Sequence, residues 1–85
     1  GSGQGEQIAC NKIRGIRAAL CNEPFATEIA RAHNDANVMV VGARVVAPGG
    51  LDELLTRWFG AVFKGGVHQR RVEQILALER GETLL

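Results

Sequence analysis

The chain has 85 residues, room for one small domain, and its 46% hydrophobic and 22% charged residues suit a globular rather than a disordered protein. A net charge of +1 predicts no special attraction to nucleic acid or to an acidic membrane surface. No apolar run approaches the roughly 20 residues that span a bilayer, and the opening residues are neither basic nor apolar enough for a secretory leader.

Gly1 to Gly5 reads as a glycine-rich loop. A short helix follows over Glu6 to Ile13, with Ile8, Ala9 and Ile13 apolar, and Arg14-Gly15 breaks it. Ile16 to Cys21 is a mostly apolar run, a candidate buried strand. Asn22 is a good N-cap for the next helix, and Pro24 is tolerated in its first turn. That helix carries Phe25, Ala26, Ile29, Ala30 and His33 on one stripe and ends at His33-Asn34-Asp35. Val38 to Val41 is a second β-rich run with no polar interruption, as in parallel sheets covered on both faces, and Gly42 closes it. Pro48-Gly49-Gly50 makes a turn, after which Leu51, Leu54, Leu55, Trp58 and Phe59 form one apolar helical face. Gly65-Gly66 interrupts again. A last helix runs from Val67 to Arg80, with Val72, Ile75, Leu76 and Leu78 on its apolar side and Gly81 as its stop.

Alternation of this kind implies an α/β fold, a Rossmann-like parallel sheet flanked by helices. Two parallel strands and four helices make a poor independent sheet, because their edges stay unpaired. Further strands are therefore expected, from a preceding half or from a partner. The absence of an initial Met, with Met39 the only one, reads the same way: a piece of something longer, or processed ends. Cys10 and Cys21 sit in apolar contexts and read as buried free thiols, which suits a cytoplasmic protein.

Three groups of residues have chemistry to offer. In Gly1-Ser2-Gly3-Gln4-Gly5-Glu6 the alternating glycines let backbone N–H groups approach a ligand without Cβ interference, just ahead of a helix N-terminus. Such a loop suits a phosphate or the oxyanion of an enediolate; a flexible linker or tag remnant is the plain alternative. Glu6 is either a first-turn carboxylate complementing the helix dipole or a general base beside that loop. His33 closes its stripe as a cap or as an acid for a sugar ring oxygen, with Asn34 beside it to meet substrate hydroxyls. Arg44, His68, Arg70 and Arg71 form a basic set: either solvated charges or a phosphate clamp, for which guanidinium forks are well shaped. Cys and His do not fall at metal-ligand spacings, so no structural zinc is expected.

Several stretches taken together resemble the type B ribose-5-phosphate isomerase family, which includes galactose-6-phosphate isomerases. They are Gly1-Ser2-Gly3-Gln4-Gly5-Glu6-Gln7-Ile8-Ala9, Asn11-Lys12, and Gly15-Ile16-Arg17-Ala18-Ala19-Leu20-Cys21. They continue in Ala30-Arg31-Ala32-His33-Asn34-Asp35-Ala36-Asn37-Val38, Gly42-Ala43-Arg44-Val45, and Gly65-Gly66-Val67-His68-Gln69-Arg70-Arg71-Val72. The resemblance implies that residues 1–85 are the C-terminal part of a single isomerase domain carrying the last two strands of its sheet. It implies interconversion of ribose 5-phosphate and ribulose 5-phosphate, or a related pair, through a cis-enediolate, with no metal or cofactor. One branch of the family uses a Cys just before the glycine loop as base; another places a Glu where Glu6 stands, and this chain matches the second. By the same likeness Ser2 polarises the substrate oxygen, and Gly1, Gly3 and Gly5 form the oxyanion loop. His33 assists ring opening, Asn34 binds substrate, and Arg44 and Arg71 bind phosphate. Family members usually form dimers with sites at subunit boundaries. A homodimer or higher homo-oligomer is expected, with the last helix, over residues 67–81, at its interface.

Two departures bear on this. Many members carry an Arg where Val67 stands, so the phosphate clamp is weakened here. The family's N-terminal half, with its first strands and an Asp-His pair that contacts substrate, is absent. The competing expectation is a truncated, non-catalytic oligomerisation or anion-binding module. An unrelated nucleotide-binding fragment would need G-x-G-x-x-G, whereas these glycines alternate.

Overall fold

The computed structural model describes residues 1–84; Leu85, the last residue of the expected 1–85 span, lies outside the described residues. In chain order the elements are α1 (Gln4–Cys10), β1 (Ala18–Leu20), α2 (Pro24–Ala32), β2 (Val38–Val40), a 3-10 turn (Pro48–Gly50), α3 (Leu51–Gly60) and α4 (Val67–Glu79). The strands pair in parallel, Ala18 with Val38, Ala19 with Met39 and Leu20 with Val40, with α2 as the crossover. This is the α/β arrangement of two strands and four helices expected above.

Both strands are shorter than their apolar runs, and at the start of β1 a side chain takes over a backbone hydrogen bond. Before β1, the Arg17 N–H donates to Asn37 Oδ1 at 2.8 Å. After it, the Cys21 N–H still reaches Val40 O at 2.7 Å, and the chain then turns into α2. The N-cap of α2 is Glu23, not Asn22: its carboxylate accepts the Phe25 N–H at 3.0 Å and the Ala26 N–H at 2.5 Å. Asn22 is engaged elsewhere, as described below. Helix α1 starts two residues earlier than expected and stops at Cys10 rather than Ile13. The Asn11 side chain is drawn instead to Ala18, donating to its carbonyl at 2.9 Å and accepting its N–H at 2.8 Å. Helix α4 ends where Gly81 predicted. The Gly81 N–H bonds to Leu78 O and the Glu82 N–H to Ala77 O, both at 3.0 Å, a Schellman closure.

The core is small. Cys21, Ala30, Ala36 and Trp58 cluster, with Ala19 and Met39 packed against them. The Arg31 guanidinium lies 4.9 Å over the Trp58 ring and also donates to Ala36 O at 2.7 Å. Thr27 is fully buried, its hydroxyl satisfied by Glu23 O at 2.8 Å. Of the expected apolar face of α3 only Leu54 and Trp58 are buried; Leu51, Leu55 and Phe59 stay exposed. Only Val72 is buried on α4, and no residue of α1 is. Helix α4 crosses the N-terminal end of the sheet. It meets His33 at its start, and Glu79 near its end accepts the Gly15 N–H at 2.6 Å. No helix among the described residues is long and apolar enough to cross a membrane.

Candidate active site

The glycine loop sits against the C-terminal ends of both strands, where open α/β sheets hold their ligands. A Cβ on Gly3 would lie 2.6 Å from Leu20 Cδ1 and 3.3 Å from Val40 Cγ1, and Gly3 takes φ +87°, which favours glycine. Behind the loop, the segment leaving β2 approaches main chain to main chain: a Cβ on Gly42 would lie 2.2 Å from Ser2 O. Two carbonyls of the loop are held. Gly1 O accepts the Arg44 N–H at 2.9 Å, and Ser2 O accepts the Asn22 side-chain amide at 3.2 Å. Asn22 Oδ1 in turn accepts the Gly42 N–H at 2.7 Å. The Ser2, Gly3, Gly5 and Glu6 N–H groups have no acceptor among the described residues.

Side chains complete this end. Arg44 runs alongside Gly1, its Nε 3.3 Å from where a Cβ would stand. The Ser2 hydroxyl accepts the Gln4 N–H at 3.3 Å. Glu6, on the first turn of α1, is exposed and makes no hydrogen bond or ion pair among the described residues. Gly5 faces open space.

His33, Asn34 and Arg71 lie at the other end. Helix α2 runs back from the C-terminal to the N-terminal end of the strands, so its C-cap, His33, is separated from the loop by the sheet. His33 stacks on His68 with ring centroids 3.8 Å apart and planes 9° apart. Its partial burial, then the His68 imidazole and the Lys64 ammonium, hold the His33 pKa below its usual 6.5. Asn34 is exposed and lines an open cavity of about 740 Å³ between α1, β1 and α4. Of the other expected site residues, none lines that cavity. Arg71 is exposed on α4 and donates to Gln74 Oε1 at 3.2 Å. Val67, the first residue of α4, is 63% exposed beside His68. Burial raises the Cys21 thiol pKa, so that sulfur is inert packing; Cys10 is partly buried and free.

The structure thus gathers Gly1, Ser2, Gly3 and Arg44, with Gly5 and Glu6 on the adjoining turn, and sets His33, Asn34 and Arg71 apart from them. Sequence reasoning missed Asn22 and Gly42 as parts of the loop end. Asn22 read as a helix cap and Gly42 as a strand stop. The one available signal was that Glu23, immediately before Pro24, is itself able to cap α2.

A family model described as Ribose/Galactose Isomerase matches residues 1–75. The chain is 46% identical over 80 residues to the ribose-5-phosphate isomerase B of Escherichia coli K12, covering 94% of this chain and 54% of that protein. It is 40% identical to a D-erythrulose-4-phosphate isomerase of Pectobacterium atrosepticum over 82 residues, 96% of this chain and 54% of that one. Among solved structures, ribose-5-phosphate isomerase B of Clostridium thermocellum superposes with a TM-score of 0.92 at 41% identity, covering 95% of this chain and 55% of that one. The chain therefore spans about half the length of these relatives.

Proposed function

The chain belongs to the ribose/galactose isomerase family, and from that premise we propose that it serves aldose–ketose isomerisation of a sugar phosphate, ribose 5-phosphate and ribulose 5-phosphate or a related pair. Glu6 takes the proton from C2 of the open-chain aldose. Negative charge grows on the C1 oxygen of a cis-enediolate, where the loop amides and Ser2 meet it. The proton returns at C1, and the hydroxyl proton passes from O2 to O1. His33 assists ring opening, Asn34 holds a hydroxyl, and Arg44 and Arg71 bind phosphate.

The observation that supports this reading is the loop end: unpaired amides at the C-terminal ends of the strands, with a carboxylate one turn along and a guanidinium alongside. The separation of His33 and Arg71 from that end means that one copy does not assemble the whole set. A second copy, docked through α4, supplies them at a subunit boundary. Large apolar residues left uncovered on α4, Val67 at 63%, Ile75 at 42% and Leu78 at 55% exposure, fit such an association.

The test is an isomerase assay on ribose 5-phosphate, with this chain and with any longer form. Glu6→Gln is expected to abolish turnover while sparing ligand binding; unchanged turnover removes Glu6 from the mechanism. Mixing Glu6→Gln copies with His33→Asn copies should restore about one quarter of normal turnover, because random two-fold pairing leaves one intact site in half of the dimers. No recovery would mean that both residues act within one copy.

A further inference from the structure

We infer that Asn22 is a positioning residue that sets the orientation of the Ser2–Gly3 peptide and so aims the Gly3 N–H at the substrate oxygen, a role that rests on the isomerase reading of the loop. A peptide unit is planar, with its C=O and N–H pointing in opposite directions. Whatever holds the Ser2 carbonyl therefore fixes the direction of the Gly3 N–H. The only donor to that carbonyl among the described residues is the Asn22 amide, at 3.2 Å. Glycine on the C-terminal side of this peptide leaves it free to turn over, because glycine accepts either sign of φ. A turned peptide would present a carbonyl oxygen where the enediolate grows its charge.

Asn22 is itself anchored. Its Oδ1 accepts the Gly42 N–H at 2.7 Å. That N–H requires an acceptor, so the side-chain NH2 is the half left to face Ser2. The neighbouring Gly1–Ser2 peptide is held in the same sense, through Gly1 O and the Arg44 N–H. Two successive peptides are thus fixed by their carbonyls, and the Ser2 and Gly3 N–H groups have no acceptor among the described residues. Asn22 touches no reacting atom; it acts through the loop.

Asn22→Asp separates this role from a merely structural one, because it keeps the acceptor for Gly42 and removes the donor to Ser2. Residual dipolar couplings of the Gly3 and Gly42 N–H vectors in the full chain read the geometry without turnover. The Gly3 vector is expected to reorient and the Gly42 vector to stay. In the form that isomerises ribose 5-phosphate, kcat should fall about 100-fold with KM within about 3-fold, the pattern of a lost transition-state contact. An unmoved Gly3 vector, an unchanged kcat, or a rise in KM alone would overturn the role. A wild-type chain with no turnover would count against the isomerase reading, while the couplings still decide on Asn22.

Discussion

At the loop end of the sheet, backbone meets backbone. Ser2 packs on Gly42, the Arg44 N–H holds Gly1 O, and Asn22 bridges the two segments. At the other end a helix with one buried residue, Val72, leans on a stack of two imidazoles and a single Glu79 carboxylate. The first end is fixed within one chain by groups that cannot move independently. The second is made of side chains with little core beneath them. A site divided between two such ends has a preorganised half and an adjustable half.

The sharpest way to break this contrast is Gly42→Ala. The added methyl meets the Ser2 carbonyl itself, not the tip of a flexible side chain. It should cost about 1–3 kcal/mol in urea unfolding and lower turnover by about 100-fold or more by displacing the loop. A neutral Gly42→Ala would mean that the loop end is not rigid.

Acid should act on the other end. The His33 pKa is lowered in the fold, so the unfolded state binds the proton more readily. The associated stability is present above pH 6.5 and is lost as pH falls below that value through the folded pKa. The protection factor of the Val72 amide on α4, its exchange corrected for the intrinsic pH dependence, should therefore fall between pH 7 and pH 5 more than that of Gly42. An equal loss of protection at both would remove the stack as a distinct acid-sensitive element. The smallest effect is expected of Gly5→Ala. Its Cβ enters open space on a helix, and it should stabilise by no more than about 1 kcal/mol in the same unfolding measurement.

Much of the fold was legible because it is written locally. The unbroken Val38–Val41 run, the alternation of strand and helix, and Gly81 at the end of α4 each depend on near neighbours. Asn22 was not legible, because one amide had two possible uses and the choice was made by Ser2 and Gly42, 20 residues away on either side. The apolar stripe of α3 indicated a face to be covered; it could not say that Leu51, Leu55 and Phe59 would stay bare within one chain. The candidate site residues were named one by one from likeness. Their division follows from direction: the loop precedes α1 at one end of the strands, and His33 closes α2 at the opposite end.

Trp58 has a practical consequence. It is the only tryptophan, and the chain has no tyrosine. Ultraviolet fluorescence excited at the indole therefore comes from a single ring, wedged in the core beneath the Arg31 cation. Emission will follow the packing of α3 against α2 and the small core, so the same sample yields a core signal by light and a loop signal by magnetic resonance.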